Sequence, residues 1–468
     1  MNQLDKWNKE LEKISLDHER KIDRKLFNFY REALIDIKKK VKIYIDEYET
    51  LSFSKKLEVE RILKVANEIE KILDGTYSKV NKEIENYASN QAQGGYYGTW
   101  YALEGAENIQ IDFPILNQRY IETIVNTPVN GKLFSQRLYD NTTFLAEVAT
   151  LELQQGAING DGYRKIAKRI EEQTEAAYKR ALRIARTEGG RTQSTAKQRA
   201  YEEAKNKGVN IQKQWMSTLD KKTRHSHQKL DGQIVGVDEE FVSPNGNRAQ
   251  GPRLFGVPRE DINCRCTTVA VVNGISPELR KDNETKGIIK YKNYEEWKKD
   301  KIKDIGEKRW NIEEKKVKNK SSDSNQFERY KKILGKEVPK TLDDFQELKY
   351  NNSKEWQSIQ DHYFVKSRLK DGRYGKVINP EKQAAHIEST RTEGKSYFYD
   401  NMDVQELFDK YAGTGTIERD SRGKRTNKET IITDNIIGYD QLNRMPVRGI
   451  KIHHSKKRTH IVPFKGRS

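Results

Sequence analysis

Apolar residues recur at three- and four-residue spacing through "LDKWNKELEKI", "RKLFNFYREALIDIKKKVKIYI" and "KKLEVERILKVANEIEKIL", with Lys and Glu between them. That period predicts amphipathic helices over residues 1 to about 90, a stretch without proline. A Gly/Tyr-rich run, "QAQGGYYGTWYALEGA", follows and predicts a loop. Helical spacing returns in "RLYDNTTFLAEVATLELQQGA" and in the run from Tyr163 to Gly208, with Gly208 placed as a C-cap. From "IQKQWM" to "DINCRCTTVAVV" short apolar runs alternate with Gly turns, which predicts strands and loops. Residues 273 to about 325 are dense in Lys and Glu, with an exposed helix expected around Tyr291 to Ile302, and end in "SSDSN", the composition of a flexible joint. After Asn325 helices are expected first, in "FERYKKILGKEV" and "TLDDFQELKYNNSKEWQSIQDHYFVKSRLKDG". Strand-like runs follow in "GKVINPEKQAAHIEST", "KETIITDNIIGYD" and "GIKIHHSKKRTHIVPF", with one amphipathic helix at Val404 to Tyr411. The last of these runs predicts a hairpin around Lys456 to Arg458, whose register periodicity does not fix.

Composition narrows the class. Charged and hydrophobic residues each make up 34% of the 468 residues. The mean hydropathy is −0.97. Such a chain suits long solvated helices joined to small globular units better than one large core. A formal charge of +18 makes a polyanion the expected partner. No run is apolar enough for a signal peptide or a membrane span, so synthesis in a cytoplasm is expected. The two cysteines, Cys264 and Cys266, are too close in sequence for an unstrained disulfide. Free thiols or metal ligands remain.

Three motifs, "ARTEGGR" (185–191), "W…LDKKTRHSHQKLDG" (215–232) and "PREDINCRCT" (258–267), resemble in order and spacing the phage Mu F-like minor head protein family. The resemblance implies a minor capsid protein associated with a portal, capsid proteins and packaged DNA. Some relatives carry Cys-x-x-Cys where Arg224 and His227 stand, facing a later Cys-x-Cys. His227, Cys264 and Cys266 are therefore candidate zinc ligands. Arg224 supplies no ligand, although His225 lies next to it. The plainer reading, a hydrogen-bonded cluster joining two loops, is preferred.

A second resemblance lies in "EKQAAHIEST" (381–390), "GKSYF" (394–398), "YAGTGT" (411–416), "NIIGYD" (435–440) and "HHSKKRTHIVP" (453–463). These residues resemble the type 50 bacterial polymorphic toxin domain. That family implies a metal-independent ribonuclease with the fold shared by barnase, EndoU-type nucleases and RelE-like toxins. RNA carries its own nucleophile, the 2′-hydroxyl, so cleavage needs a base, an acid and cations for the phosphate. His386 and His460 fall on the motifs and are the candidate acid/base pair. Lys382, Ser389 and Thr390 complete the candidate catalytic set. Lys456, Lys457, Arg448 and Lys451 are candidate substrate-binding residues. His453 and His454 are read as strand residues at a basic surface, and "GTG" (413–415) as a turn.

The expected architecture is multidomain: a helical N-terminal region at 1–114, an α+β head-protein module at 115–272, a charged linker at 273–325 and a C-terminal α+β RNase-like domain at 326–468. The function expected is a phage or prophage minor capsid protein carrying an endoribonuclease toxin. It would act in a bacterial host cytoplasm and ride in the capsid interior, with RNA as substrate and a cognate immunity protein as partner. No cofactor is expected in the C-terminal domain. Two other classes compete: a structural portal-associated head protein whose basic end binds nucleic acid without catalysis, and a metal-dependent hydrolase built on His227 and the cysteines.

Overall fold

The computed structural model describes residues 3–49, 59–107, 113–129, 131–159, 161–351 and 354–466. Two compact units divide the chain, Met1–Lys301 and Ile302–Ser468. The start of the "KKLEVERIL" helix at Lys55 and the terminal Arg467 lie outside the described residues.

In the first unit, α1 (Gln3–Glu49) and α2 (Val59–Glu107) are long helices, α3 (Gln118–Val125) is short, and α4 (Phe134–Asn159) and α5 (Tyr163–Asn206) complete a bundle. At 1.5 Å per residue, α1 is about 70 Å long. Cross-helix pairs fix the directions. Lys25 with Glu83 and Lys40 with Glu68 set α1 antiparallel to α2. Lys38 with Glu171 and Arg186 with Glu19 set α1 antiparallel to α5. The apolar stripes, among them Leu26, Ile37, Ile69, Ile84, Leu145 and Ile170, meet in one core.

The Gly/Tyr-rich run expected as a loop is instead the last part of α2. Its glycines let helices approach. A Cβ at Gly95 would lie 2.5 Å from the carbonyl oxygen of Gln193, and one at Gly98 would lie 2.7 Å from Leu11. Composition reads these residues as breakers, but packing gains more from contact than the helix loses from glycine. Gly208 does take the left-handed conformation just past α5, at φ +90°.

A small α+β module follows: β1 (Ile211–Met216), α6 (His225–Leu230), β2 (Ile234–Gly236), the hairpin β3 (Phe241–Val242) and β4 (Arg248–Ala249), α7 (Pro258–Asp261) and β5 (Thr267–Val272). β1 is central and antiparallel to both β2 and β5. The "TRHSHQKL" run, expected as loop or strand, forms α6.

The charged stretch 273–325 holds the helix expected near Tyr291 to Ile302 and further regular elements. It contains the hairpin β6 (Leu279–Lys281) and β7 (Ile288–Lys290), then α8 (Tyr294–Ile305), α9 (Glu307–Lys318) and the start of α10 (Lys320–Leu334). Its "SSDSN" run lies inside α10. Asp323 in that run is fully buried and accepts hydrogen bonds from Gln346, Lys349 and Tyr350. Buried polar partners supplied from elsewhere in the fold override the local preference for a turn.

The second unit continues with α11 (Leu342–Tyr350) and α12 (Lys354–Lys370). Phe327, Tyr330, Phe345 and Trp356 form their shared aromatic core. Then come α13 (Pro380–Ala384), β8 (Tyr397–Phe398), α14 (Val404–Tyr411), β9 (Thr416–Arg419), β10 (Arg425–Ile432), β11 (Gly438–Asp440), β12 (Met445–Val447), β13 (Gly449–His453) and β14 (His460–Phe464). α14 has the limits its period predicts, capped by Asp403. The run around Pro380, expected as strand, is helical because Asn379 caps it and Pro380 occupies its first turn. A four-stranded antiparallel sheet has the order β14-β13-β10-β9, and a three-stranded one the order β12-β11-β8. The expected hairpin is β13–β14, and its register pairs His453 with His460.

Candidate functional site

Alternation along the four-stranded sheet separates two faces. Ile431, Ile450, Ile452 and Ile461 point into the core. Their neighbours Lys428, Lys451, His453 and His460 therefore occupy the opposite face. The register sets Lys428 across from His453 and His453 across from His460. On the edge strand, Glu418 reaches Lys451 at 2.8 Å.

His386 comes from the turn after α13 and completes a row. Its ring stacks on His460 with centroids 6.0 Å apart and planes 12° apart. The rings of His460 and His453 are 4.7 Å apart. Backbone carbonyls orient two members of the row. His386 Nδ1 lies 2.8 Å from the Ser396 oxygen, and His460 Nδ1 lies 3.3 Å from the Arg458 oxygen. With the Nδ1–H donated, the Nε2 lone pair of each ring is left for chemistry.

All three imidazoles are shifted toward the neutral form. Burial lowers the His386 pKa, and His460 and Lys395 lower it further against the Ser396 carbonyl. Burial also lowers His460, with Lys382 and Lys395 adding to it against the Arg458 carbonyl. His453 is pushed down to about 4 by burial, then by His460, Lys428 and Lys451, with Glu418 opposing. The arrangement joins adjacent proton acceptors to several lysines, and so can move protons beside a bound anion.

The structure thus brings His386, His460 and Lys382 together. Lys451 shares their sheet face but is paired with Glu418 and lies over Phe464. Lys456 and Lys457 are exposed in the hairpin turn, and Arg448 is exposed before β13. Ser389 is exposed, with its backbone N–H donated to Asp400. Thr390 is exposed, and its hydroxyl donates to the Ala384 carbonyl. Sequence reasoning left out His453, Lys395, Lys428 and Glu418. The alternation in "GIKIH" did carry the signal for His453, since it shares the parity of Lys451 and not of the isoleucines.

His454 points the other way and is fully buried. Its Nε2 meets Glu429 at 2.8 Å, and its ring stacks on Tyr374 at 4.7 Å. Glu429 also accepts the backbone N–H groups of Gly413 and Gly415. The "GTG" turn therefore anchors a buried carboxylate beneath the histidine face.

The first unit contains a second cluster. His227 on α6 meets Cys264 and Cys266 from the loop before β5, with Nδ1 3.5 Å from each sulfur. All three are buried, and their donor atoms lie within 4.8 Å of one another. Glu260 sits behind the ring, 3.1 Å from Nε2. Burial pushes the Cys264 thiol up, but Cys266, His227 and Arg253 more than offset this and hold it well below its ordinary value. Burial and the Cys264 thiolate push Cys266 well above its own. Three donors fall one short of a closed structural zinc site. Arg224 turns away to the Ile262 carbonyl, and His225 is exposed. Among the described residues, His227, Cys264 and Cys266 are the donors of this cluster that could hold a metal ion.

Comparison with known proteins places both regions. Residues 147–269 match the Phage Mu protein F like protein family, and residues 378–463 match the Bacterial toxin 50 family. The minor head protein of Bacillus phage SPP1 is 28% identical over 302 residues, covering 64% of this chain and 96% of that protein. A protein of Enterococcus faecalis named NAD(+)–arginine ADP-ribosyltransferase EFV is 53% identical over 302 residues. This chain spans 62% of that protein's length, and the match takes in 64% of this chain. An uncharacterized Bacillus subtilis protein is 29% identical over 183 residues, 37% of this chain and 56% of its own length. No solved structure matches. The chain therefore carries one region similar to the Phage Mu protein F like protein family and one similar to the Bacterial toxin 50 family, and the histidine row lies within the second of these. No helix among the described residues is long and apolar enough to cross a membrane.

Proposed function

We propose that this chain is a phage minor head protein whose C-terminal domain is a metal-independent endoribonuclease toxin. The observation that carries the reading is the row His386–His460–His453 on a lysine-bearing sheet face. Neutral imidazoles are ready to take the 2′-hydroxyl proton. A second imidazole, protonated once the phosphate anion has bound beside it, delivers a proton to the leaving 5′-oxygen. Lys382, Lys395 and Lys428 offset the charge that develops on the phosphate oxygens. In this reading the second unit is a variant of the barnase, EndoU and RelE-like fold, with α helices first and the antiparallel sheet after. The first unit assembles with portal and capsid proteins around packaged DNA. The toxin acts in the cytoplasm of a bacterial host and is held in check there by an immunity protein.

The activity in the Enterococcus protein's name is not carried over. The 302 matched residues exceed what Ile302–Ser468 can hold, so the likeness reaches well into the first unit. The toxin region has its own family match.

The test is cleavage of a single-stranded oligoribonucleotide by the purified chain in EDTA, with the product ends identified by mass spectrometry. A 2′,3′-cyclic phosphate is the expected end. An absolute requirement for magnesium, or no RNA cleavage while host growth is still arrested, rejects the scheme. Co-purification of the first unit with the cognate portal protein tests the head-protein role.

A further inference from the structure

A cavity of about 710 Å³ opens in the second unit between α12 and the β9–β10 turn. Its lining contributes Lys354, Arg419, Lys424 and Arg425, and includes no Asp or Glu. Beneath it Asp361, fully buried, holds both arginines. Its Oδ1 accepts from Arg419 Nη2 at 2.9 Å and from Arg425 Nε at 2.7 Å, and its Oδ2 accepts from the backbone N–H of Ile417 at 3.2 Å. Gln360 Oε1 accepts from Arg425 Nη2 at 3.2 Å. The Arg425 guanidinium lies 5.6 Å from the Phe364 ring centre, and Arg368 covers the same ring at 3.5 Å. The lining thus carries no carboxylate and four cations, two of them arginine forks fixed by Asp361 beneath. Arg425 Nη1 has no protein acceptor among the described residues.

Such a surplus has a use. Side chains locked by a buried acid lose little freedom when an anion binds, and a planar fork suits phosphate oxygens. Glutamine amides and an arginine-covered ring suit an unpaired base. The strand that supplies Arg425 also supplies Lys428, which pairs in register with His453. At about 3.3 Å per residue the two positions are roughly 10 Å apart along β10, but Arg425 pairs with Arg419 on the face of Ile417, so an RNA strand held here reaches the histidine face by passing round the β9 edge. We infer that this cavity is a phosphate-binding subsite for single-stranded RNA, holding the strand that the histidine row cleaves. The inference rests on the ribonuclease reading for its substrate, but its test does not require cleavage.

The probe is a fluorescent 2′-O-methyl oligoribonucleotide, which lacks the nucleophile. Its binding to the full chain is followed by anisotropy over a range of salt. Lys354→Glu/Lys424→Glu weakens binding about tenfold or more and lowers the slope of log affinity against log salt by about 1.4, since each phosphate that a lysine neutralises contributes about 0.7. Lys315→Glu/Lys336→Glu makes the same change in net charge on exposed residues elsewhere in the unit and leaves the slope and the cleavage rate at wild type. The neutral pair Lys354→Gln/Lys424→Gln repeats the test should charge reversal disturb the fold. Equal effects from the two Glu pairs, or no binding of the probe by the wild-type chain, overturn the inference. Cleavage by a wild-type chain whose binding ignores Lys354 and Lys424 removes the subsite alone. Binding that depends on them, without cleavage, removes the histidine scheme alone.

Discussion

Removing the central histidine of the row, by His460→Ala, should both slow catalysis and let its neighbours hold their protons more tightly. The ring centres of His453 and His386 lie 4.7 and 6.0 Å from that of His460. Two positive charges at such distances repel by about 3 kcal/mol at an effective dielectric of ~20. Solvent at the open face cuts this to roughly half, about 1.4 kcal/mol, or about one pH unit. The variant should therefore show the His453 pKa rising by about one unit from its present value of about 4, and His386 rising in the same direction. The substitution also admits water, which reduces the burial penalty and acts with the same sign. Cleavage should fall by about 10²–10⁴-fold through loss of a proton shuttle. Ring-carbon NMR of histidine-labelled protein reads the titrations, and a quenched oligoribonucleotide in EDTA reads the rate. In the wild type all three pKa values are lowered, so the bell in pH should centre below 6.5, histidine's ordinary value. A folded His460→Ala protein with the wild-type rate removes His460 from the mechanism. Unchanged neighbouring titrations would show that the three rings are not electrostatically joined.

The remaining tests probe other parts of the fold. Because His453 is held near 4 in the folded chain and near 6.5 when unfolded, the unfolded state binds more protons between those values. Stability should therefore be lost as pH falls from 6.5 toward 4, and thermal melts of His453→Gln should show a shallower loss. Glu429→Gln puts an amide N–H group where a buried carboxylate oxygen accepts hydrogen bonds and should cost about 1–3 kcal/mol, read in denaturant melts of the second unit's transition; no measurable cost contradicts the buried hydrogen bonding. Gly95→Ala forces a methyl toward the Gln193 carbonyl and should destabilise the helical bundle by about 1–3 kcal/mol, whereas a gain in stability would show that α2 and α5 are not so close. Purified chain should contain well under one equivalent of zinc, and chelators should leave its melting temperature in place; stoichiometric metal by elemental analysis would mean that a fourth donor reaches Cys264, Cys266 and His227.

Periodicity alone placed the long N-terminal helices, α14 and the β13–β14 hairpin, because each is a local pattern, and α14 carries its own cap at Asp403. The motifs likewise single out His386 and His460, which the fold then stacks side by side. Three things depended on the tertiary structure. Glycines 95 and 98 look like breakers until another helix is seen to occupy the space a side chain would take. "SSDSN" looks like a joint until Gln346, Lys349 and Tyr350 close on Asp323. The adjacent His453 and His454 read alike in the chain, but the sheet sends one to a cationic face beside His460 and buries the other against Glu429. Local spacing determines which residues share a face of a helix or strand. The register between distant segments decides what that face meets, and here that contact separates an imidazole beside lysines on an open sheet face from one buried against a carboxylate.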